Sequence, residues 1–169
     1  MSKGKKRRSE RALAIQVLYG LSFIPVDSPD DLRRAFLRSP HHAGRTEEAA
    51  LSGYAFTLVE GVWGKSAQLD EIIARHAINW RLDRLGRIEL TLLRMAIFEL
   101  LFCRDVPPKA VINEALELSR AFSGKEAIRF INGILDAAAK AAETGELAAG
   151  MPGGDSEIHQ TRENRIHEQ

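Results

Sequence analysis

Apolar residues recur at helical spacing along almost the whole chain, and no stretch alternates apolar and polar between turn signals, so the pattern predicts helices and no strands. The first helix is expected from about Arg7 to Phe23, with Ala14, Val17, Leu18 and Leu21 as its stripe and Pro25 ending it. A second starts after Ser28, with Pro29 in its first position and Asp31 at the third, and stops before Pro40. A third is expected over Glu47 to Val62 and a fourth over Ser66 to His76. Leu82 to Phe102 is apolar on two sides, through Leu85, Ile88, Leu92 and Met95 and through Leu90, Leu93, Ile97 and Leu101, as befits a central buried helix. Arg87, Thr91 and Arg94 are expected along its narrow polar edge. Val106-Pro107-Pro108 starts another helix, to about Phe122, and Ser123 with Glu126 reads as a capping box for a last one to about Ala142. The expected fold class is an all-α bundle of about seven helices.

Asn113 and Asn132 fall inside these apolar helices, where asparagine is a poor helix former. Buried hydrogen bonding between helices, with the two as partners, is the simplest expectation for them. A surface contact is the other. After Gly145 the chain is polar and rich in glycine, with little to bury, so residues 145–169 are expected to be a disordered acidic tail beyond a helical domain of 1–144.

Composition changes this picture little until charge is placed along the chain. The 169 residues carry a formal net charge of only +1. Residues 1–11, however, hold Lys3, Lys5, Lys6, Arg7, Arg8 and Arg11 against Glu10 alone. Residues 145–169 hold Arg162 and Arg165 against Glu146, Asp155, Glu157, Glu163 and Glu168. Near-neutrality hides a basic head and an acidic tail. A single cysteine, Cys103, excludes an intramolecular disulfide and fits a reducing compartment. Ser9, Glu10, Arg11 and Gln16 interrupt the start, which does not read as a secretory signal. The window Leu90 to Phe102 contains Arg94 and Glu99 and is too short for a membrane span. A cytoplasmic protein is expected.

The head is the sharpest chemical feature. Lysine and arginine neutralise phosphates and release condensed counterions, with a salt slope of about −0.7 per contact on single strands. A solvated tail is the bland alternative, but this cluster runs directly into an amphipathic helix, which would mount Arg7, Arg8 and Arg11 on a folded platform. Residues 1–6 are expected to be a flexible basic arm. Tyr19, Phe122 and Phe130 are candidates for stacking on bases, although spacing alone favours a core position for each. Gly61-Val62-Trp63-Gly64-Lys65-Ser66 has two residues between its glycines where a phosphate loop needs four, and it reads as a break between helices. His41 and His42 have no acidic or cysteine partner at ligand spacing, so no metal site is expected. Cys103 is expected to be an inert buried or partly buried thiol. No arrangement of nucleophile and base stands out. The chain is not expected to be an enzyme or to need a cofactor.

Four segments together resemble one family. Arg7-Arg8-Ser9-Glu10-Arg11-Ala12 with Gln16-Val17-Leu18-Tyr19, Leu93 to Leu100, Val106-Pro107 with Ile112-Asn113-Glu114-Ala115, and Phe130 to Asp136 resemble, in order, segments of the NusB family. The resemblance implies an all-α fold in two lobes. It implies a transcription antitermination factor that binds boxA RNA together with NusE, a protein of the small ribosomal subunit, in ribosomal RNA operons, as part of the RNA polymerase antitermination complex. Carried over by position, it assigns RNA contacts to Arg7, Arg8, Arg11, Tyr19, Arg129 and Phe130, and the NusE face to Glu89, Pro108 and Glu126. Two other readings remain at this point. One is a helical interaction module or homodimer. The other is an accessory domain of a ribosomal RNA methyltransferase, although the chain carries no Rossmann glycine motif.

Overall fold

The computed structural model describes residues 3–40, 45–77 and 85–149. Nine helices and no strand occur among them: α1 Lys3–Leu21, α2 Pro29–Leu37, α3 Glu47–Leu51, α4 Tyr54–Gly64, α5 Ser66–His76, α6 Arg87–Phe102, α7 Pro108–Phe122, α8 Lys125–Glu143 and the single turn α9 Glu146–Ala149. His41, His42 and the segment Ile78-Asn79-Trp80 lie outside the described residues, as do residues 150–169.

Helices α1 to α4 form one group and α5, α7, α8 and α9 another. Helix α6 packs against α1, α4, α5, α7 and α8 and so belongs to both. Its run from Thr91 to Glu99 is buried except for Arg94, as its two apolar faces require. Arg94 instead reaches Asp70 of α5 through Nε and Nη2, both at 2.6 Å. Thr91 donates its hydroxyl to the Arg87 carbonyl at 2.6 Å, which lets a polar side chain sit at 4% exposure. Gly61 is where α4 meets α6. A Cβ built there would lie 2.0 Å from Cζ of Phe98, so only glycine admits the ring.

The start of α2 follows its sequence signals: the Ser28 hydroxyl accepts from the Asp31 N–H at 3.1 Å and Pro29 fills the first position. The break at Gly64–Lys65 also falls where expected, between α4 and α5.

Several expectations are corrected. The third predicted helix is two, because the chain breaks at Ser52–Gly53 and α4 takes its first N–H partner from the Glu10 side chain. Helix α6 starts at Arg87 after the cap Gly86, and the expected start at Leu82 lies outside the described residues. Helix α1 starts at Lys3, so residues 4–6 are helical rather than a loose arm. The capping box does not form: Gly124 is the cap of α8, and the buried Ser123 hydroxyl has no partner among the described residues. Asn113 is exposed, and Asn132 bonds along its own helix to Asp136 at 3.2 Å, so the two do not pair. The first residues of the predicted tail fold back as α9 and bury Leu147.

Candidate nucleic-acid interface

Helix α1 changes character along its length. From Leu13 to Leu18 it is mostly buried, whereas Lys5, Lys6, Arg8 and Ser9 are exposed. The three arginines expected to act alike occupy three different environments, because a helix turns each by about 100° from the last.

Arg11 faces the core. Its side chain is 4% exposed and Glu99 of α6 is 1% exposed. Nε lies 2.9 Å from both carboxylate oxygens and Nη2 lies 2.8 Å from Oε1. Tyr54, at the start of α4, donates its hydroxyl to the same Oε1. Burial works against the Arg11 charge, but the hydrogen bonds to Glu99 outweigh it and hold the guanidinium above its ordinary pKa. Burial, and then the bond to Glu99, push the Tyr54 hydroxyl far above its usual value. The Cys103 thiol beside them is also pushed up, chiefly by burial. Arg11 is thus a pin between α1, α4 and α6, and its expected place on an RNA surface is corrected in this structure.

Arg7, one turn earlier on the same face, pairs with Asp105 in the α6–α7 connection. Its guanidinium sits 5.0 Å from the centroid of the Tyr54 ring. Arg8 points outward, 59% exposed, and makes a two-pronged bond to Glu114 of α7 at 2.9 and 2.7 Å. The bond holds the Glu114 carboxyl below the usual carboxylate range and raises Arg8. Both arginines therefore arrive with an exchangeable anion in place, and Lys5 and Lys6 add charge beside them.

At the other end of α1, Tyr19 is 38% exposed and meets Phe23 edge to face at 5.0 Å. Arg87 lies 4.7 Å over the Phe23 ring. Tyr19 is some twelve residues beyond Arg7, or about 18 Å along the helix. Arg129 is exposed on α8. Its neighbour Phe130 is 6% exposed and packs in the core, so its ring is not presented for stacking. Phe122 is the exposed aromatic of that region, at 52%.

The three residues assigned to a protein partner lie on three helices, α6, α7 and α8. Glu89 lies in the first turn of α6, and Pro108 opens α7 beyond the far end of α6, which is about 20 Å from Glu89 along the axis. Glu126 is exposed in the first turn of α8. Sequence reasoning missed Glu10, Tyr54, Glu99, Asp105 and Glu114, the anions and ring that orient the arginines. Glu99 carried a signal: one carboxylate in the most apolar helix needs a buried cation.

A molecule that is all-helical among its described residues, and whose first helix begins in a mounted cationic cluster, has the build of a small RNA-binding protein. The NusB family model matches residues 8–140. The chain is 59% identical over 153 residues to the transcription antitermination protein NusB of Desulfovibrio desulfuricans, covering 87% of this chain and 93% of that one. To the same-named protein of Nitratidesulfovibrio vulgaris it is 54% identical over 141 residues, covering 83% and 92%. Among solved structures, T. maritima NusB aligns with a TM-score of 0.70 at 26% identity, over 85% of this chain and 96% of that one. NusB in a crystal structure of the antitermination factors NusB and NusE with dsRNA aligns at 0.66 and 28% identity, over 81% and 98%. This chain belongs to the NusB family.

Proposed function

We propose that this chain is a non-enzymatic transcription antitermination factor that binds boxA-type RNA together with NusE, working in the cytoplasm and without a cofactor. Its relatives bear that name, and a NusB of the same fold has been crystallised with NusE and dsRNA. The observation that carries the assignment of the site is the mounting of α1: Lys5, Lys6 and Arg8 are exposed on a helix that Arg11 and Glu99 pin to the core.

In this reading Arg7 and Arg8 exchange Asp105 and Glu114 for RNA phosphates. Arg11 holds the helix in place from below. Tyr19 offers a partly exposed ring to a base further along, and Arg129 adds a phosphate contact. Phe130 supports Arg129 from the core. Phosphate contacts supply affinity and unpaired bases supply specificity. NusE would meet Glu89, Pro108 and Glu126 and extend the surface beside the RNA.

The test is a titration of boxA RNA and a scrambled RNA, with and without NusE, at rising salt. Tighter binding of boxA, strengthened by NusE, is expected. Equal affinity for the scrambled strand in the presence of NusE refutes the reading. Light scattering of the free protein covers the homodimer alternative, which requires a dimer that persists when RNA is added.

A further inference from the structure

A cavity of about 460 Å³ opens between the first turns of α1 and the junction of α3 with α4. Its rim carries Lys6, Arg7 and Arg45, and Glu10 and Gly53 also line it. The size lies within the range of sites for small molecules. We propose that this cavity takes one nucleotide of the bound RNA, with its base inside and its phosphate on Lys6 and Arg45. This rests on the reading of α1 as the RNA interface.

Three observations carry it. The first is electrostatic. The only carboxylate among the lining residues, Glu10, is 3% exposed and has both oxygens engaged. Oε2 accepts from the Ala55 N–H at 3.0 Å and Oε1 faces Arg45 Nη1 at 2.8 Å. The cavity therefore presents a surplus of donors to whatever enters. The second concerns Arg45. It spends one terminal nitrogen on Glu10 and is 39% exposed, and a guanidinium has five N–H donors. A phosphate oxygen can share Arg45 without breaking its pair with Glu10. The third is continuity. Lys6 and Arg7 belong both to this rim and to the cationic end of α1, so an RNA strand laid along Lys5, Lys6 and Arg8 passes the mouth. Gly53 lets the Glu10 carboxylate lie close against the cavity wall, since a Cβ there would come within 3.2 Å of Glu10 Oε2 and 3.1 Å of the Ala50 carbonyl.

Double-stranded RNA cannot place a base in such a cavity without unpairing it, whereas a single strand can. The occupant is thus an unpaired nucleotide.

The experiment uses the full chain with NusE and a single-stranded boxA-type RNA, read by fluorescence anisotropy. A set of RNAs lacking one base each, with the ribose-phosphate kept, is compared with the intact strand. In the wild type, removal of one particular base should weaken binding about tenfold. Ala49→Phe, on an exposed helical position that lines the cavity, fills the space. It should lose affinity for the intact RNA and become insensitive to removal of that same base. Arg45→Gln should weaken the intact RNA several-fold and flatten the salt slope by about 0.7. Melting temperatures check that both variants are folded. Wild-type affinity and an unchanged base-removal profile in Ala49→Phe would overturn the proposal while leaving the interface on α1 standing. A wild type that binds the intact strand but is indifferent to removal of every base would also overturn the cavity assignment, whereas an unchanged salt slope in Arg7→Ala with Arg8→Ala would overturn the interface reading on which it rests.

Discussion

Replacing Glu99 by glutamine removes one charge from a place that water does not reach. Arg11, 4% exposed, then loses the carboxylate it is hydrogen-bonded to, and Glu114 acts on its guanidinium only at longer range. Removing one partner from a buried ion pair costs about 3–5 kcal/mol, because the remaining ion stays desolvated. In a chain of this size 1 kcal/mol moves the melting midpoint by about 2–4 °C. Glu99→Gln should therefore melt roughly 6–20 °C below the wild type. Tyr54 sharpens the expectation, since its hydroxyl also loses a charged acceptor. The companion is a triple variant, Arg11→Met with Glu99→Leu and Tyr54→Phe, which removes every polar group of the cluster at once. It should recover most of the loss, because apolar replacement of a whole buried ion pair is often neutral or better. Circular dichroism during heating, with urea titration for the free energy, measures both. A loss under about 1 kcal/mol in Glu99→Gln would be that of an exposed pair and would refute the burial argument. So would a triple variant that is as unstable as the sum of its parts.

Arg8 and Glu114 give two further expectations. Glu114→Gln should tighten RNA binding a few-fold, since the phosphate no longer competes with a carboxylate; weaker binding would show that the pair positions Arg8 rather than masks it. The folded Glu114 carboxyl titrates below its ordinary value, so its contribution to stability is complete above the usual glutamate range and disappears as pH falls through the depressed value. Arg8→Ala should raise the Glu114 midpoint in a carboxyl NMR titration, and an unmoved midpoint contradicts the assignment. Gly61→Ala should destabilise by about 1–3 kcal/mol as Phe98 is forced aside, measured by the same melts. Arg7→Ala with Arg8→Ala should lower the melting midpoint by only a few degrees, far less than loss of the Arg11 pin, and flatten the salt slope of RNA binding by about 1.4, at about 0.7 for each phosphate left without its arginine. Adding Arg11→Ala to that pair should lower stability sharply.

Local rules reached what local chemistry controls. Ser28, Pro29 and Asp31 mark the start of α2 within the residues that form it, and the glycine break before Ser66 does the same for α5. Partners distant in sequence decided the rest. Arg11 and Arg8 look equivalent in an arginine-rich stretch, and only Glu99, 88 residues away, and Glu114, 106 residues away, separate anchor from contact. Glu47 to Val62 is helical by pattern throughout. It divides at Gly53 because Glu10 arrives there from α1. Phe130 has the spacing of either a core or a surface ring, and the packing of α8 on α6 and α7 puts it inside. The acidic partners were the least visible part of the site, since nothing near Asp105 or Glu114 in sequence refers to α1.

The cap that Glu10 supplies to α4 has a consequence for the order of folding. Most helices carry their starting signal in the residue just before them, so the first turn can form on its own. Here no side chain at Gly53 caps the helix, and the acceptor for the Ala55 N–H comes from 45 residues upstream. The first turn of α4 is therefore secured only when α1 docks. The cap beneath the proposed nucleotide cavity thus requires closure of a 45-residue loop. In a kinetic experiment, Glu10→Gln should mainly speed unfolding and leave the folding rate nearly unchanged.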